Sequence, residues 1–86
     1  MPDPQRRFQR LTSLGERLRE RHETRTAHAL DLFVSIGRAQ QAALHGDEPA
    51  LEAALRLAAD NEIVVFGDAD TVITIAADLG IEVTDA

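Results

Sequence analysis

Two carboxylates one residue apart, Asp68-Ala69-Asp70, follow the apolar run Ile63-Val64-Val65-Phe66 and a single glycine. Acids just past an apolar strand are where an open α/β sheet would hold a divalent cation or a phosphoryl group. The same letters also serve a helix start, with Asp68 as N-cap and Asp70 in the first turn near the positive end of the helix dipole. A phosphate cradle needs several close glycines, and Gly67 stands alone beside two acids that repel an anion. His22, His28 and His45 miss the i, i+4 spacing that sets two imidazoles over one metal, and Thr26 stands where a His22-Glu23 zinc helix would need its second histidine. Ser13 and Ser35 have no histidine and acid nearby in sequence to activate them. The chain has no Cys, Lys, Tyr or Trp, which leaves carboxylates, three histidines and a few hydroxyls for acid–base or nucleophilic work. It reads as non-enzymatic, with no cofactor and no metal.

The stretch Asp68-Ala69-Asp70-Thr71-Val72 resembles the first motif of haloacid-dehalogenase-type phosphotransferases, which implies phosphoryl transfer. The basic residue of that family's later motif has no lysine to supply it here, Gly67 intervenes after the apolar run, and 86 residues are too few for the family's core. Residues 70–84, a helical pattern stopped by Leu79-Gly80 before Ile81-Glu82-Val83, are similar to the ending of leader domains of some ribosomally made peptides. Their Gly-Gly processing site is missing, and the Arg-rich N-terminal region departs from them. Neither resemblance assigns a family.

The charges are unevenly placed. Residues 1–25 hold seven of the nine arginines and carry a net of +3, whereas residues 26–86 carry −9, with seven acids and no base from Asp60 onward. Such a chain suits pairing between subunits or two different partner surfaces. Arg6, Arg7, Arg10 and Arg17 are candidate phosphate contacts for nucleic acid, although Glu16, Glu20 and Glu23 interleave with the basic run. No apolar run approaches the roughly 20 residues that span a bilayer, no signal-type stretch follows the N-terminus, and a cysteine-free chain fits a reducing cytoplasm.

The elements that would position these residues follow from hydrophobic period. Leu11, Leu14, Leu18, Ala29, Leu32, Ile36, Ala39 and Ala43 recur at helical steps, interrupted by the polar run 19–26. Residues 6–45 are therefore one long helix or a helical hairpin breaking near His22–Thr26, after a flexible 1–5. His45-Gly46-Asp47-Glu48-Pro49 reads as a helix stop, a cap and a new first turn, opening a second helix over 48–60. Glu62-Ile63-Val64-Val65-Phe66 reads as a buried strand. Thr71–Ile75 are five β-branched residues in a row that could pair back on Ile63–Phe66 as a strand, but the pattern favours a helix from Ala69 to Leu79 with Val72, Ile75, Ala76 and Leu79 on one face, followed by Ile81–Val83 as a second strand. The expectation is a single domain over 1–86, mainly α with a small C-terminal α/β element in which 62–86 form a βαβ unit.

Two strands alone are marginal in water, and the apolar stripe is long for a chain of this size. The sequence thus points to a homodimeric protein-interaction module with a regulatory or accessory role. Its interface would be the seam of Leu11, Leu14, Leu18, Leu32, Ile36, Ala39 and Ala43, with Ile63 and Val65 on a strand seeking a neighbour. One alternative is a nucleic-acid-associated regulator using the Arg-rich helix. Another is a small acidic inhibitor or accessory subunit of a larger basic assembly.

Overall fold

The computed structural model describes residues 3–21 and 27–83. Four helices follow in chain order: α1 Pro4–Arg21, α2 Ala27–His45, α3 Glu48–Phe66 and α4 Asp70–Asp78. Asp3 opens α1, its carboxylate accepting the Gln5 N–H at 2.9 Å and its carbonyl the Arg7 N–H at 3.0 Å. Pro4 fits the first turn because its missing N–H has no partner there. The helix thus begins ahead of the expected Arg6.

The region 6–45 is a pair of antiparallel helices rather than one rod. Gln40 Nε2 donates to Thr12 Oγ1 at 2.8 Å, and the Arg19 guanidinium lies over the Phe33 ring at 5.2 Å. The polar run 22–26, expected to hold the break, lies outside the described residues. The next turn follows the sequence signals closely. Gly46 takes φ +68°, Asp47 N–H reaches the Ala42 carbonyl at 2.9 Å, and Gly46 N–H reaches that of Ala43 at 3.3 Å, which closes α2 with a Schellman motif. Asp47 then caps α3 by accepting the Ala50 N–H at 3.2 Å.

The expected α/β element is absent: the described residues contain no strand, and the fold is all-α. Residues 62–66 continue α3 to Phe66, where Gly67 at φ +88° donates its N–H to the Ile63 carbonyl at 2.8 Å. β-Branched residues cost only a few tenths of a kcal/mol each in a helix. A lone strand would have left its N–H and C=O groups without partners, whereas the helix pairs them internally. Helical spacing also turns Glu62 inward and lets Ile63 and Phe66 pack against the core.

The helical pattern of 71–76 is realised in α4, with Val72, Ile75, Ala76 and Leu79 buried. Gly80 at φ +80° ends it, and Ile81 N–H returns to the Ala76 carbonyl at 2.9 Å. Ile81–Val83 has no regular secondary structure rather than forming a strand. It keeps the period of two, with Ile81 and Val83 buried and Glu82 exposed, but it pairs with no neighbour in a ladder.

α2 packs on α1 and α3, and α4 closes the other side against the same two helices, so the core lies inside a four-membered ring. Leu11, Leu14, Leu18, Leu32, Leu51, Leu55, Val72 and Ile75 are buried to within 1% there. The folded chain exposes 5262 Å², close to the roughly 5,000 Å² expected of a compact protein of this mass. The long stripe is therefore covered by its own chain. No helix among the described residues is long and apolar enough to cross a membrane.

Candidate functional site

Most of the charges that suggested chemistry are tied down within the fold. α1 runs antiparallel to α4, so the basic head of the sequence meets its acidic tail inside one molecule. Arg10 Nε lies 2.6 Å from Asp78 Oδ2, and Arg6 approaches the same carboxylate at 4.0 Å. Arg7 is buried: one guanidinium nitrogen donates to the Leu79 carbonyl at 3.0 Å and another to Glu48, joining α1 to the end of α4 and the start of α3.

At the other end Glu62, fully buried on α3, accepts the N–H groups of Val72 at 2.8 Å and Thr71 at 3.3 Å, and Arg21 Nη1 at 2.6 Å. It thereby caps α4 from a neighbouring helix. Arg21 also reaches Asp68 at 2.9 Å, donates to Thr71 Oγ1 at 3.2 Å and lies 4.5 Å from the centre of the Phe66 ring. The Asp68 carboxyl is held below the usual carboxylate range, first by the Arg21 hydrogen bond and then by the Asp70 N–H, while the same pairing raises Arg21 further. Asp68 was expected as the N-cap of α4. It accepts the Asp70 N–H at 3.1 Å, but the Thr71 and Val72 donors belong to Glu62, a residue the strand reading had hidden.

The other candidates fall out plainly. Leu11, Leu14, Leu18, Leu32, Ile36, Ala39 and Ala43, the expected dimer seam, are buried in the core of one chain. Ile63 is partly buried against that core and Val65 is half-buried, both on α3. Of the arginines considered for phosphate, Arg7 is buried, Arg6 and Arg10 face Asp78, and Arg17 is exposed without an ion pair among the described residues. Ser13 and Ser35 donate back to the Gln9 and Asp31 carbonyls at 3.3 and 2.8 Å. His28 and His45 are exposed, and His22 lies outside the described residues. Among the described residues no three His, Asp or Glu side chains are grouped to hold a metal ion.

A surface not anticipated lies on the outer side of the α2–α3 hairpin. Val34 on α2 and Leu57 and Val64 on α3 are 54%, 44% and 58% exposed, with Leu30 at 64% one turn before Val34 on α2. Two shallow hollows adjoin it. One, of about 360 Å³, lies between His28, Asp31, Val34 and Arg38 of α2 and Leu57 and Asn61 of α3. The other, of about 380 Å³, is floored by Ala50, Ala53 and Ala54 between Arg38 and Leu57. The signal was present in the sequence, because α2 carries Leu30 and Val34 as well as its inward stripe, and one core cannot receive both sides of a helix. A third hollow, of about 210 Å³, lies between α1 and α2 where Gly15 and Gly37 leave room.

Compared with models of known families, with curated proteins and with solved structures, the chain matches none.

Proposed function

We propose that the chain is a non-catalytic protein-interaction module, with a regulatory or accessory role, that docks through the outer face of the α2–α3 hairpin. The observation that carries this reading is exposed apolar surface on the α2–α3 hairpin, where Val34 and Leu57 line one hollow, with Leu30 a turn before Val34, Val64 two turns after Leu57 and Leu44 also exposed on α2. Each such side chain is already about half covered, so completing its burial is worth roughly half of the 1.5–3 kcal/mol of a full transfer from water, and clustered apolar surface of this kind marks interaction sites. Support also comes from the electrostatics, since Arg7, Arg10, Arg21, Glu62, Asp68 and Asp78 serve the fold. The same pairing leaves α1 few free cations for a phosphate backbone and α4 few free acids for a basic assembly. The reading places the protein in the reducing cytoplasm, which a cysteine-free chain suits.

Photocrosslinking in the native host tests it. A photoreactive side chain replacing Ala53, on the outer face, is expected to trap a protein partner, and one replacing exposed Thr74 on α4 is not. Absence of any adduct from position 53, or equal yield from position 74, overturns the proposal.

A further inference from the structure

The outer face has a polarity that identifies its partner. On α2, Asp31, Val34 and Arg38 share one side at i, i+3 and i+7, which places an acid, an apolar side chain and a base along about 10 Å of helix. α3 runs the other way, and the residues lining the shared hollows bring Leu57 and Asn61 level with Val34 and put Ala53 beyond Arg38. Asp60 therefore lies toward the Asp31 end and Arg56 toward the Arg38 end. All four charged residues are exposed, and none has an ion pair among the described residues. The face is acidic at one end, apolar at its centre and basic at the other.

A surface with that order is complementary to itself when turned end for end. A two-fold axis lying in the face, across the helices at the level of Val34, sets α2 against α2 and α3 against α3 of a second copy, each pair antiparallel. Asp31 then meets Arg38 of the other copy, Arg56 meets Asp60, and Val34 meets its own counterpart. The apolar relief matches too. Val64 stands out at one end, and the same rotation brings it over the hollow floored by Ala50, Ala53 and Ala54. Resting on the reading of this face as a docking surface, we infer that its occupant is a second copy of the chain, bound antiparallel through these four charges with Val34 at the centre.

Light scattering coupled to size exclusion on the full chain tests the inference. At about 100 µM, well above a micromolar Kd, the wild type is expected to have about twice the mass of the 9.4 kDa chain. Arg38→Asp sets like charges together twice across the axis and should weaken association about tenfold or more, read as the shift in the midpoint of mass against concentration when each protein is diluted from about 100 µM to below about 1 µM. Asp31→Arg combined with Arg38→Asp restores opposite charges and should recover most of the loss. Circular dichroism checks that both variants keep their helices. A monomeric wild type, an unaffected Arg38→Asp variant, or a double variant no better than the single one overturns the inference. The Ala53 crosslink separates the two levels. An adduct with a different protein together with a monomeric wild type leaves the docking face standing and removes the second copy, whereas no adduct removes both.

Discussion

Replacing Glu62 by Ala would leave the Thr71 and Val72 N–H groups and one arm of Arg21 without their buried acceptor. Removing one partner of a buried ion pair costs about 3–5 kcal/mol. Because Arg21 is 31% exposed and can turn to water, Glu62→Ala should cost about 2–3 kcal/mol in urea unfolding, with Glu62→Gln costing less. Asp68 supplies the pH dependence of the same corner. Its carboxyl is depressed below 3.8 in the folded state by Arg21 and the Asp70 N–H, so its stabilisation is present above the unfolded value and is lost as pH falls through the folded one. Melting curves of wild type and Asp68→Asn should thus differ near pH 5 and converge as the pH falls through the depressed value of the folded carboxyl. Only part of this was legible residue by residue. Asp68 and Asp70 could be placed at a helix start, but Glu62 was assigned to a strand, and a side chain's reach onto another helix has no trace in local spacing.

At the scale of elements, legibility followed how much of the decision was local. The α2–α3 turn needed only Gly46, Asp47 and Pro49, whose backbone preferences fix a stop, a cap and a start, and each does what its type dictates. Ile63–Phe66 was misread because β-branched residues favour strands only where a neighbouring strand receives their backbone groups. α4 was the reverse case, since its inward face at Val72, Ile75, Ala76 and Leu79 outweighed five β-branched residues in a row. A substitution at exposed Thr74 checks that helix directly. Thr74→Ala should raise stability by about 0.5 kcal/mol in α4, from helix propensity alone, and in a strand it would lower it. Chemical denaturation of the two proteins distinguishes the sign.

For the molecule as a whole, the basic head and the acidic tail, whose division suited pairing between subunits or two partner surfaces, meet where α1 lies against α4 within one chain. Sequence shows which charges are separated along the chain and says nothing of which helices will be antiparallel neighbours. The contacts of that pairing differ in weight. Arg7 is buried between the Leu79 carbonyl and Glu48, and Arg7→Ala should cost about 2 kcal/mol through the acceptors left behind. Arg10 meets Asp78 in partial contact with water, and Arg10→Ala should cost less than about 1 kcal/mol, a difference that thermal melts will resolve. The distance along the chain between Arg7 and its partners also sets a timetable during synthesis. α1 emerges ahead of the other three helices, and Glu48 is made 41 residues after Arg7 and Leu79 72 residues after it. At about 5–20 residues per second, Leu11, Leu14 and Leu18 wait several seconds for the helices that will cover them. For that interval the nascent chain presents a greasy stripe to the ribosome surface and to any chaperone stationed there.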